Sequence, residues 1–176
     1  MRHLKLFFIL LLGFYGFWGA LHPCSFYFLR GADVLFHEAG HLIFGVFGGW
    51  AGVLGGTVMQ LLIPAFLAGY FLKEGRGFSA SVMLFWVAEN FFGISIYIRD
   101  ARTQALDYVG GDIHDWGYIL SHARWLKYDG PIADGVWWAG MLLLLSSVIL
   151  GIGHSGVVKR PFCRGGSMTT ETNSSR

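Results

Sequence analysis

Residues 135–153 read GVWWAGMLLLLSSVILGIG, nineteen positions without one charged side chain. Wound as an α-helix at 1.5 Å per residue, the stretch is ~28 Å long, close to the ~30 Å hydrocarbon thickness of a bilayer. It reads as a membrane-crossing helix. Similar runs lie upstream. Leu4 to Leu21 is nearly uncharged behind Arg2, Thr57 to Leu72 is apolar around Pro64, and Ser79 to Ile98 is apolar except for Glu89 and Asn90. Pro64 predicts a kink, because proline removes a backbone donor and crowds the preceding turn. The first run opens like a signal peptide. Phe17 and Trp18 stand where a cleavage site wants small residues, so an uncleaved helix is expected.

Composition points the same way. The chain is 54% hydrophobic and only 14% charged, whereas soluble domains are nearer a quarter charged. The net charge of +2 is not gathered into a basic stripe, which excludes a nucleic-acid partner. Cys24 and Cys163 lie far apart and form neither a disulfide framework nor a Cys-x-x-Cys metal site. The expected fold is all-α: a polytopic membrane helical bundle with about five transmembrane or membrane-embedded helices. It is expected to occupy residues 1–155 as one domain, with a polar, disordered tail over 156–176. The lipid bilayer is its first partner, and an integral, multi-pass place in the cell inner or plasma membrane is expected. Arg2 and Lys5 favour a cytoplasmic N-terminus. Five crossings would then put Arg99, Arg102, Arg124 and Lys127 on the same side.

The connections carry their own signals. Pro23 and Gly31 break a loop over 22–32, and Asp33 is expected to cap the helix that follows, Val34 to Phe47. Gly48, Gly49, Gly52, Gly55 and Gly56 suggest a glycine-rich connection that turns tightly or lets chains approach closely. A polar segment ends Gly110-Gly111-Asp112-Ile113-His114-Asp115, with Asp115 placed to cap a helix over 116–126. Gly130-Pro131 marks a turn.

The second helix contains His37-Glu38-Ala39-Gly40-His41 between Val34-Leu35-Phe36 and Leu42-Ile43-Phe44. Residues four apart share a helix face, so His37 and His41 can grip one metal ion. Glu38, one position round, can address a water at the metal and move its proton to a leaving amine. Zinc lowers the pKa of such a water towards 7. Two unrelated histidines would show the same spacing, but ionisable residues in apolar surroundings are costly and generally functional.

HEAGH in a hydrophobic helix of a small multi-pass chain resembles the site-2 protease family of intramembrane zinc metalloproteases. The resemblance rests on this helix and on the pattern of apolar runs. It implies His37 and His41 as zinc ligands, Glu38 as catalytic base, and a membrane-protein substrate. A distant aspartate completes the metal site in that family. The chain has no Asn and Pro leading to Leu-Asp-Gly, the family's usual second motif, so the third ligand is chosen on chemistry. A catalytic zinc takes three protein ligands and keeps one position open. Asp115 is the first choice, His114 the alternative and Asp112 the third. Asn90 is a candidate for holding substrate backbone or supporting the oxyanion; interhelical hydrogen bonding is the plainer role for it and for Gln60. Glu89, amid aromatic residues, must be protonated, paired or near the site. Two other functions fit the same features: a non-proteolytic membrane protein with a structural zinc site, and a metal or proton transport component.

Overall fold

The computed structural model describes residues 1–22, 29–106 and 113–157. Both cysteines, Asp112 and the tail over 158–176 lie outside them. The elements are α1 (Arg2–Leu21), α2 (Arg30–Gly45), α3 (Gly49–Lys73), α4 (Gly77–Arg99), α5 (Asp115–His122), a short 3₁₀ turn (Leu126–Tyr128) and α6 (Asp129–His154). The protein is an all-α helical bundle, with no strand among the described residues. Four segments are long and apolar enough to cross a membrane: α1, α3, α4, and α6 with its preceding 3₁₀ turn. Their outer faces expose Phe7, Phe14, Phe66, Leu142 and Ile149. A contiguous apolar exterior of this kind belongs in lipid.

The core is built on α4. Phe85, Ala88 and Phe92 pack against Met141 and Leu144 of α6 and Ala20 of α1. Nearer the other end of α4, Ile94, Ile98 and Ala101 pack against Leu120 and Ala133.

Helix α2 is different. Its 16 residues span only ~24 Å at the usual rise. It starts beside the middle of α4, where the Asp33 carboxylate accepts hydrogen bonds from Trp86 Nε1 (2.7 Å) and Asn90 Nδ2 (3.0 Å). It therefore does not cross the membrane. Asp33 does not cap the helix either: it sits in the first turn of a helix that starts earlier, at Arg30, and α4 supplies its donors.

The short α2 corrects the expected topology. Arg2 packs against Gly156, and Gly77 against His154, so those ends share one face. Arg99 pairs with Asp134 and Arg102 with Asp129 at the opposite end of the bundle. Three crossings separate Arg2 from Arg99, not four. Arg99 and Arg102 therefore lie on the face opposite Arg2.

The glycine-rich segment is also mostly helix. Helix α3 begins at Gly49 and absorbs Gly52, Gly55 and Gly56. The turn shrinks to a few residues ending at Gly48, whose φ of 79° favours glycine. The other glycines let two backbones meet: a Cβ on Gly40 would strike the Gly55 carbonyl, and one on Gly55 would lie 2.7 Å from the Gly40 oxygen. Small residues serve membrane helix crossings in this way. Helix α3 stays helical through the buried Pro64. Gly130-Pro131 falls in the first turn of α6, where the missing proline N–H would have had no helical partner.

Candidate metal centre

His37 and His41 stand one turn apart on α2, their ring centroids 4.7 Å apart and nearly perpendicular. Each ring is oriented from α3. His41 Nδ1 lies 2.8 Å from the Gly52 carbonyl oxygen. A carbonyl only accepts, so Nδ1 carries the proton and Nε2 presents its lone pair. His37 Nδ1 donates in the same way to Gln60 Oε1, at 3.0 Å. Fixing the outer nitrogen so that the inner one can ligate is the usual second-sphere arrangement at metal sites.

The two Nε2 atoms converge on Asp115. Its Oδ2 lies 2.8 Å from His37 Nε2 and 3.2 Å from His41 Nε2, and the Asp115 side chain is buried. Glu38 also offers a carboxylate oxygen within 4.8 Å of a nitrogen of each histidine. Two carboxylates thus border the pair. Asp115 is the closer to both rings, while His37, Glu38 and His41 form a group that could hold a metal ion.

The residues fit a metal ion. With both Nδ1 atoms committed as donors, the neutral rings turn two nitrogen lone pairs toward a carboxylate oxygen in a half-buried place. Such an arrangement is repulsive unless a cation lies among them. One proton can bridge one histidine to Asp115, yet Oδ2 faces both rings. A tetrahedral ion with ~2.0–2.1 Å bonds would space its ligands by about 3.3 Å. The closer pair would open by about half an ångström to reach this. Space for the ion is kept by Gly56, where a Cβ would sit 2.7 Å from both Nε2 atoms.

Asp115 comes from α5, in the connection between α4 and α6. It was expected to cap that helix but is its first residue; the cap is His114, whose Nδ1 accepts the Gly117 N–H at 3.0 Å. His114 Nε2 faces Asp100 Oδ2 at 3.5 Å. Both of its nitrogens therefore point away from the histidine pair, and His114 does not occupy the alternative ligand position. Burial pushes the His114 imidazole below its ordinary pKa despite Asp100 and Asp115 nearby. For Asp100, burial acts upward, but hydrogen bonds from Thr103, Ala105 and Leu106 together outweigh it and hold the carboxyl below the usual range. Helix α5 ends at His122, four residues before the expected limit. Arg124 there takes a φ of 59°, and the Trp125 N–H returns to the Leu120 carbonyl.

Asn90 is not in the histidine cluster. Its Nδ2 donates to Asp33 and to the Trp86 carbonyl, while its buried Oδ1 has no hydrogen-bond partner. Glu89, also buried, has one carboxylate oxygen without a partner. Gly52 and Gly56 were visible only as members of a segment that could let chains approach closely, not as a carbonyl partner for His41 and a space-keeper, and Tyr97 had no signal in the sequence. The Tyr97 hydroxyl accepts the Asp115 N–H at 3.2 Å. Gln60 was visible as an odd polar residue but not as the partner of His37. No protein-family model, curated protein or solved structure matches the chain.

Proposed function

We propose that this protein is an intramembrane zinc metalloprotease that hydrolyses a peptide bond in or next to a membrane-embedded substrate helix. The observation that carries this reading is the meeting of His37 Nε2, His41 Nε2 and Asp115 Oδ2, with Glu38 alongside. His37, His41 and Asp115 would hold the ion. Two histidines and a carboxylate are a ligand set that zinc takes in hydrolytic sites. Bound there, zinc supplies a Lewis acid for the scissile carbonyl and a more acidic water. Glu38 accepts the proton of the attacking water and delivers it to the leaving nitrogen. Asn90 Oδ1 is buried and without a partner, so a substrate would have to part α2 from α4 for it to accept a backbone N–H. Approach from the bilayer suits α2, whose Leu35, Leu42 and Ile43 are exposed.

The test is zinc analysis and peptide hydrolysis by full-length protein reconstituted in liposomes. About one zinc per chain is expected, with cleavage of a membrane-embedded peptide that Glu38→Gln suppresses without loss of zinc. Cleavage by Glu38→Gln at the wild-type rate would remove the proteolytic mechanism. A structural zinc site would retain metal and cleave nothing. One observation favours a proton or metal transport reading: buried Glu89 neighbours Asn90, which is bonded to Asp33. Proton or zinc flux across those liposomes, abolished by Glu89→Gln, would select it.

A further inference from the structure

We infer that Tyr97 and His114 are positioning residues that hold the Asp115 carboxylate against the histidine pair. The inference rests on the metal reading of that centre. Asp115 opens an eight-residue helix, too short to be stable on its own. A proton shared with His37 or His41 ties only the Oδ2 atom, at 2.8 and 3.2 Å from the two rings, and leaves the backbone of this helix unplaced. Its place must be set from behind.

Two contacts do this. The Asp115 N–H donates to the Tyr97 hydroxyl at 3.2 Å. The adjacent His114 caps the helix through Gly117, and its ring stacks on Tyr97 with centroids 4.2 Å apart and planes 24° apart. Since Nδ1 accepts from Gly117, the ring proton is on Nε2, directed at Asp100. Asp100 is anchored in turn by the Thr103 hydroxyl and by the Ala105 and Leu106 N–H groups. Helix α5 also sits tightly on the end of α4: a Cβ on Gly117 would lie 3.1 Å from the Ala101 carbonyl oxygen. Tyr97 reaches the other side of the centre as well, its ring edge-on to His37 at 6.3 Å. One rigid unit at the end of α4 thus faces ligands from both α2 and α5.

The test is Co²⁺ titration of the detergent-purified full chain, followed by its visible absorption, with thermal unfolding of the metal-free protein measured in parallel. Tyr97→Phe removes only the hydroxyl and should weaken Co²⁺ binding about 10-fold without moving the apo melting temperature. His114→Ala should weaken it ~10–100-fold, and His114→Asn, which restores a cap acceptor, should recover part of that loss. At saturation the variants should retain the wild-type number of nitrogen ligands but show an altered band intensity. Wild-type affinity and spectrum in both Tyr97→Phe and His114→Ala would overturn the positioning role and leave the metal centre intact. Loss of a nitrogen ligand in His114→Ala would overturn it by making His114 a ligand. No Co²⁺ binding by the wild type would overturn the centre and the positioning role together. If His114→Ala does not fold, Tyr97→Phe and His114→Asn decide the matter.

Discussion

Two antiparallel helix pairs make up most of this molecule, and they are held together in opposite ways. In α4 and α6 the contact is side chain on side chain: Phe85 and Phe92 meet Met141 and Leu144. In α2 and α3 it is backbone on backbone, with Gly40 and Gly55 at the crossing. The first pair is a packing core. The second buries mostly small residues, Gly40 of α2 and Gly55, Gly56, Thr57, Pro64 and Ala68 of α3. Its close approach instead brings the Gly52 carbonyl and Gln60 within reach of the histidine rings. The bundle separates the α4–α6 packing core from the α2–α3 crossing that orients the histidine rings.

The largest expected effect tests that separation directly. Gly56→Val would place side-chain carbon where both Nε2 atoms point, and metal binding should vanish. Helicity and the α4–α6 contact should persist, since neither depends on that space. Equilibrium dialysis with zinc, alongside circular dichroism, would check both. A variant that binds one zinc normally would mean that the ion does not sit between the histidines and Gly56.

Glu38→Gln comes next. It keeps size and hydrogen bonding, removes the base, and touches no ligand proposed for the ion. Peptide hydrolysis should fall by ~10²-fold or more, with zinc stoichiometry unchanged. Zinc loss on this substitution would instead make Glu38 a ligand and Asp115 a neighbour, reversing their roles.

These residues also show what a sequence can and cannot disclose. HEAGH is legible because both histidines belong to one helix, whose period sets their spacing without reference to anything else. The crossing helices are legible because hydrocarbon thickness imposes a length. Asp115 could be named as a candidate from its chemistry, but 78 residues separate it from His37. Its approach depends on how α5 sits on the end of α4, and no local pattern encodes that. The glycine-rich segment suggested either a turn, because glycine is a poor helix former, or a close approach of chains, and the Gly40–Gly55 crossing is the second. Packing overrode propensity there, since only glycine lets α2 come so close. The same local bias made Asp33 look like a cap, when its partners are Trp86 and Asn90 on a helix some fifty residues later.

Within the packing core, a large-to-small change should have the converse signature. Leu144 is 2% exposed and fills the space between α1 and α4. Leu144→Ala should destabilise the fold by about 2–3 kcal/mol, at the low end of the cavity range for core leucines. The core cluster that holds Leu144 draws no residue from α2 or α3, so zinc affinity should not change. A large drop in affinity together with stability would show that the two pairs are coupled after all.

The smallest effect is expected at Ser147, which is fully buried and donates to the Ser81 carbonyl at 2.7 Å. This is the buried polar contact between α4 and α6, whose ends also carry the exposed Arg99–Asp134 pair, and burial in a membrane suggests a large contribution. The geometry argues otherwise. The Ser81 carbonyl already accepts its own helical bond from the N–H four residues on, so deleting the hydroxyl strands no acceptor. What is lost is one supplementary hydrogen bond, and such bonds between membrane helices average about 0.6 kcal/mol. Ser147→Ala should therefore shift reversible unfolding in mixed micelles by about 0.6 kcal/mol and leave zinc binding and hydrolysis unaltered. A loss of 2 kcal/mol or more, on the scale of a stranded buried group, would show that the hydroxyl is the only partner of that carbonyl. The α4–α6 pair would then depend on polar contacts as the α2–α3 pair does.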